Sequence, residues 1–186
     1  MSAPHAVVLV EGNSDRAALH ALARRLGRDL AGEGVEVVAM GGIGNVRTFA
    51  TTYGPRGLDV RLAGLYDIGE KRQLRVGLAA AGVTREREID ALAAVGFHAC
   101  IVDLEDELVR SLGVGHAVAV VEKAGEGRSL RRLAHMPEHR GRPTGAVLRR
   151  FLSAQSGRKA KYAELFVEAM ELDEVPEPLM AVLDRA

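Results

Sequence analysis

Four short apolar runs, each separated from the next by room for a helix, constrain this chain more than any other feature. Ala6 to Val10, Val35 to Met40, Val60 to Tyr66 and Phe97 to Val102 are rich in Val, Leu and Ala and show no strict polar alternation. Runs of that length and character mark strands covered on both faces, as in a parallel sheet. The segments between them carry helical spacing. Ala18, Leu19, Leu22, Ala23 and Leu26 form one stripe, and predict a helix from about residue 13 to Leu30 that Asn13 or Ser14 can cap. A short helix through Phe49 and Tyr53 follows the Gly41-Gly42-Ile43-Gly44-Asn45 turn, and further helical stretches are expected over 70–81 and 84–95. Strands alternating with helices over residues 1–112 predict an α/β fold, a Rossmann-like doubly wound parallel sheet of four strands flanked by helices. Residues 113–186 read as an all-helical C-terminal extension packed on that core, with breaks near Gly113, Gly125 to Gly127, Pro137 to Arg142, Ser156-Gly157 and Val175 to Pro178.

Aromatic residues make up 4% of the chain and Trp is absent, so the core must be aliphatic. The single cysteine, Cys100, lies in the fourth apolar run, which predicts a buried small hydrophobe and excludes an intramolecular disulfide. No apolar run approaches the roughly 20 residues of a membrane span, and Met1 to His5 lacks a signal pattern, so the expected compartment is the cytoplasm with no membrane partner. The net charge of zero is unevenly distributed. Lys123 to Lys161 carries 11 Lys/Arg against 2 Asp/Glu, a net of +9, while residues 1–122 carry −3 and the tail after Lys161 carries −6. A stretch of +9 is either a set of solvated helix faces or the place where a polyanion binds. Arg128, Arg131, Arg132, Arg149, Arg150, Arg158 and Lys161 are its candidate nucleic-acid contacts.

Three of the four strands end on acid. The first gives Glu11 with Asp15 four residues on, the third gives Asp67 with Glu70 three residues on, and the fourth gives Asp103 and Glu105. Open parallel sheets bind ligands beyond the carboxyl ends of their strands. Carboxylates gathered there repel one another unless a cation is present, and hard divalent ions take oxygen ligands. Singly, several of these acids also suit structural roles: Asp15 as a first-turn acid, Asp103 as a helix cap, and Glu105, Asp106 and Glu107 on helix-dipole grounds. Glu11 has no such role, since it ends an apolar strand just before Gly12.

The ordered motifs resemble a known family. Val8-Leu9-Val10-Glu11-Gly12-Asn13-Ser14-Asp15 is similar to the first TOPRIM motif, and Val38 to Asn45 to the second strand and its turn. Leu65-Tyr66-Asp67-Ile68-Gly69 stands where the family has Asp-x-Asp. Asp103 to Leu108, Gly157 to Ala163 and Pro176 to Leu179 resemble later segments of the nuclease half of OLD (overcoming lysogenization defect) proteins. The resemblance implies a TOPRIM fold and a Mg²⁺ or Mn²⁺ site of one or two ions. Glu11, Asp15 and Asp67 would hold one ion, Asp103 and Glu105 would help hold a second, and Glu11 and Lys159 would be catalytic. Lys159 would stabilise transition-state charge, with Lys161 as the alternative, because the two lie about 200° apart on a helix. The departure is Gly69, which offers no carboxylate where the second Asp is expected; Glu70 is the nearest substitute but is one residue out of phase for a strand.

The leading expectation is therefore metal-dependent phosphodiester hydrolysis on nucleic acid, DNA rather than RNA. The alternatives are nucleotidyl or phosphoryl transfer on a small nucleotide, and a non-catalytic nucleic-acid or partner-binding module, which Gly69 favours. A plain dinucleotide binder is disfavoured because G-x-G-x-x-G does not follow the first strand. No G-x-x-x-x-G-K-[ST] string occurs, so the expectation is a stand-alone unit whose ATP-coupled work, if any, belongs to a separate ATPase partner; the sequence is equally compatible with a homodimer.

Overall fold

The apolar runs pair as one parallel sheet in the order β2-β1-β3-β4, where β1 is Ala6–Val10, β2 Val35–Ala39, β3 Arg61–Asp67 and β4 Phe97–Cys100. In register, Leu9 stands opposite Val38 and Gly64, and Gly64 opposite Phe97. The structure is a computed structural model describing residues 3–84 and 92–186. Alternate side chains of β1 enter two separate cores, Ala6, Val8 and Val10 on one face and Val7 and Leu9 on the other. This is why the run shows no polar alternation: neither face meets water. Gly64 is required where β1, β3 and β4 come closest, since a Cβ there would sit 2.5 Å from the Leu9 carbonyl and 2.7 Å from the Phe97 ring.

Helices α2 (Val46–Tyr53) and α3 (Lys71–Ala80) cover one face, built around Val46, Leu74, Leu78 and Phe97. Helix α1 (Asn13–Arg25) covers the other. The chain thus passes from β1 through α1 to β2 on one side and returns from β2 through α2 to β3 on the opposite side. A doubly wound sheet requires this when crossovers keep one hand. After β4 come α4 (Leu104–Leu112), α5 (Val114–Lys123), α6 (Gly127–His135), α7 (Thr144–Ser153), α8 (Arg158–Ala169) and α9 (Glu177–Arg185). Among the described residues these helices share the α1-side core with the sheet. Phe151, Tyr162, Phe166, Leu179 and Leu183 join Val8, Leu22 and Cys100 in one buried cluster. Helix α8 lies along α1, and α9 reaches β3 and β4. Tyr162 packs between Phe151 and Phe166, ring centroids 5.9 and 5.7 Å away, so three of the few aromatics are concentrated at one joint.

Element ends depart from the expectations in three places. Helix α1 stops at Arg25 because Gly27 turns left-handed at φ 71°. Its cap is Gly12, with the Asp15 carboxylate accepting the Gly12 N–H at 2.8 Å, rather than Asn13 or Ser14. Strand β4 stops at Cys100, after which the chain leaves the sheet with Ile101 and Val102 exposed and the buried Glu107 carboxylate taking the Ile101 N–H at 2.7 Å. The helix expected over 84–95 falls largely on 85–91, outside the described residues; Leu92–Val95 forms a 3₁₀ turn.

Candidate active site

The carboxyl ends of β1 and β3 lie side by side where the strand order reverses, which is the position where open α/β sheets bind ligands. Glu11, Asp15, Asp67, Asp103, Glu105 and Lys159 line one cavity there of about 140 Å³, together with Gly12, Ser14 and Leu104. Ser14 is a lining residue that the sequence offers only as a helix cap; its one signal is its place between Glu11 and Asp15 in the first motif.

Each acid arrives by a different local device. Glu11 follows the last residue of a fully buried strand. Asp15 is the third residue of α1 and serves both its cap and the crevice. Asp103 caps α4, its Oδ1 accepting the Asp106 N–H at 2.7 Å, so its expected structural role is real and leaves Oδ2 for the cavity. The three consecutive acids at the start of α4 separate. Glu105 faces Lys159, Asp106 bonds Arg149 at 2.7 Å, and Glu107 turns inward to the Ile101 N–H and Arg110.

Glu70 also reaches the cluster. Asp67 ends β3 and the chain turns at once into the 3₁₀ segment Ile68–Glu70. With three residues per turn, positions three apart face the same way, so Glu70 returns to the side of Asp67. Oxygens of Glu11, Asp67 and Glu70 lie within 4.8 Å of one another. The phase objection to Glu70 holds for a continuing strand and lapses because the strand ends.

The electrostatics follow from this crowding. Burial, opposed by the Gly12 hydrogen bond and aided by Glu105 and Glu11, lifts Asp15 to about 6. Burial, then the charges of Glu11, Asp15, Asp103 and Glu105, lift Asp67 to about 7, and burial with the adjoining Glu11 carboxyl lifts Glu70 to about 7. Near neutral pH the cluster is short of positive charge. Glu70 Oε2 and Glu105 Oε1 are buried with no hydrogen-bond partner, which polar atoms rarely tolerate. The crowded oxygens of Glu11, Asp67 and Glu70, with Glu70 Oε2 orphaned, fit a hard divalent ion of the Mg²⁺ or Mn²⁺ type, whereas Glu105 already has a cation beside it. Lys159 donates to Glu105 Oε2 at 2.9 Å. Partial burial opposes its charge, but the Glu105 bond and the fields of Asp103 and Asp15 outweigh that and raise its pKa. Lys161 points elsewhere, to Glu126 at 2.6 Å. Cys100 lies beneath the acids; burial and the charges of Asp15 and Asp67 push its thiol up, leaving it inert.

The basic candidates divide. Arg128, Arg132 and Arg150 are exposed on α6 and α7. Arg131 is also exposed but pairs with Glu122 at 2.5 Å, and Arg149 pairs with Asp106. Arg158 is turned inward: its side chain is 12% exposed, it bonds Glu126 at 2.9 Å, and its guanidinium lies 4.1 Å from the Phe151 ring centre. It serves packing in this arrangement.

Residues 5–68 match the overcoming lysogenization defect protein-like TOPRIM domain. Over that stretch the chain is similar to an OLD-like TOPRIM domain. That stretch contains β1, β2, β3 and the acids Glu11, Asp15 and Asp67. The likeness in fold extends over nearly the whole chain. It superposes on the C-terminal region of the Burkholderia pseudomallei OLD protein with a TM-score of 0.74 at 20% identity, covering 98% of this chain and 96% of that one. The C-terminal region of the Xanthomonas campestris pv. campestris OLD protein gives 0.75 at 22% identity, covering 100% and 95%. At that identity the shared feature is the fold, including the helices after the parallel sheet. No curated protein matches the chain in sequence. Among the described residues no helix is long and apolar enough to cross a membrane.

Proposed function

We propose that this TOPRIM protein is a divalent-metal-dependent phosphodiester hydrolase acting on nucleic acid, with DNA as the preferred polymer. The observation that carries the reading is the convergence of Glu11, Asp15, Asp67, Glu70, Asp103 and Glu105 with Lys159 at the sheet's switch point. Helical capping alone does not call for it. Glu11, Asp67 and Glu70 would hold the ion, and Glu70 would take the part that Gly69 cannot. When bound, Mg²⁺ or Mn²⁺ polarises the scissile phosphate and acidifies a water.

The chain's own groups supply the rest. Lys159, kept charged by Glu105, offers its ammonium to negative charge developing on phosphate oxygens. The exposed cations Arg128, Arg132 and Arg150 attract the backbone and offset the repulsion between an acidic crevice and a polyanion. The small cavity favours a polymer over a free nucleotide: about 140 Å³ is below the roughly 300–1,000 Å³ of sites that enclose small ligands. A backbone drawn across an open crevice needs no enclosure.

The test is incubation of the wild type and Glu11→Ala with supercoiled and linear DNA in Mg²⁺, Mn²⁺ or chelator. Metal-dependent cleavage reduced by roughly a hundredfold or more in the variant is expected. Binding without cleavage in every metal, unchanged by the substitution, refutes the hydrolase.

A further inference from the structure

The crevice is lopsided in how its oxygens are used. On the β1–β3 side, Glu11, Asp67 and Glu70 bring oxygens within 4.8 Å of one another, and Glu70 Oε2 has no partner. On the side of α4, no comparable triad forms among the described residues, and each acid already has an oxygen engaged. Asp15 Oδ2 takes the Gly12 N–H at 2.8 Å, Asp103 Oδ1 takes the Asp106 N–H at 2.7 Å, and Glu105 Oε2 takes Lys159 Nζ at 2.9 Å. The Glu105 side chain is only 8% exposed, and its second oxygen is buried without a partner. A carboxylate that deep requires a cation close by. The cation present is an ammonium delivered by α8, 54 residues along the chain.

We propose that this protein uses one divalent ion, held by Glu11, Asp67 and Glu70, and that Lys159 permanently fills the place of a second ion against Glu105. The inference rests on the metal-dependent reading above and sharpens it to a one-ion site with a built-in cation. An ammonium neutralises a carboxylate as a point charge but cannot bridge two of them at metal–oxygen distance. It therefore suits the side where Asp15 and Asp103 are half-committed to helix caps. The unpartnered Glu105 Oε1 is what would let a metal ion enter if the ammonium were taken away.

The experiment counts Mn²⁺ ions bound per intact chain, by calorimetry and by the electron paramagnetic resonance signal of free Mn²⁺. The wild type binds one, Lys159→Arg binds one, and Lys159→Met binds two. Glu70→Gln weakens the single ion by about tenfold or more, whereas Glu105→Gln leaves its affinity nearly unchanged. Lys159 is half-exposed on α8, so Lys159→Met is expected to fold, which its melting curve checks. Two ions in the wild type, or one in a folded Lys159→Met, overturns the proposal and leaves the metal-dependent reading intact. No ion in the wild type defeats both. If Lys159→Met fails to fold, the wild-type count and the contrast between Glu70→Gln and Glu105→Gln still decide.

Discussion

Replacing Asp67 by Asn should make the metal-free protein more stable at alkaline pH and leave it unchanged at acid pH. The folded protein holds the Asp67 proton more tightly than the unfolded chain, with a pKa lifted from 3.8 to about 7 by burial and then by Glu11, Asp15, Asp103 and Glu105. Between those values the native state binds more protons than the unfolded state, so stability falls as pH rises from about 4 to about 7 and stays low above it. At 1.36 kcal/mol per pH unit the full cost of ionising Asp67 in the fold is about 4 kcal/mol. Asp67 is half-buried, and solvent screening reduces this to about 2 kcal/mol. For a chain of this size that corresponds to about 4–8 °C in Tm. The assay is thermal unfolding of wild type and Asp67→Asn in chelator at pH 5 and pH 8.5, repeated with Mn²⁺. Asp67→Asn should melt higher only at pH 8.5 in chelator, and Mn²⁺ should reverse the order by stabilising the wild type alone. An equal gain at both pH values, or a loss at pH 8.5, would refute the crowding argument.

Three other outcomes are expected. Replacing Arg128, Arg132 and Arg150 together by Ala should weaken DNA binding and lower the salt slope by about one for each phosphate no longer neutralised, measured by fluorescence anisotropy between low and moderate salt. Gly64→Val should destabilise by about 1–3 kcal/mol in denaturant unfolding, because its side chain meets the Leu9 carbonyl and the Phe97 ring in an interior with no slack. Gly69→Asp should be tolerated, since a Cβ there meets nothing within 4 Å, and it should restore Mn²⁺ binding to Glu70→Gln in a titration.

The fold is legible in the sequence because both faces of the sheet are buried, so each strand announces itself as an apolar run and each acidic strand end stands out at its close. Boundaries are harder. That the chain leaves the sheet after Cys100, with the apolar Ile101 and Val102 exposed, is signalled by no local pattern near Val102. The site is legible as a set of acids but not as an arrangement. Glu70 looks out of phase for a strand that continues; a 3₁₀ turn supplies the missing period. The basic stretch reads as uniform, yet Glu126, one of its two acids, takes both Arg158 and Lys161 out of the free charge. That pairing spans more than thirty residues and depends on how α8 docks.

The docking of α8 along α1 also has a consequence in time. Synthesis runs from the N-terminus at about 5–20 residues per second, so Glu11, Asp15 and Asp67 emerge well before Lys159. Until α8 docks along α1, Glu105 stands without its ammonium and the acids of the crevice face one another unopposed. The charge balance of the crevice is therefore set by the last third of the chain and is complete only once α8 is in place.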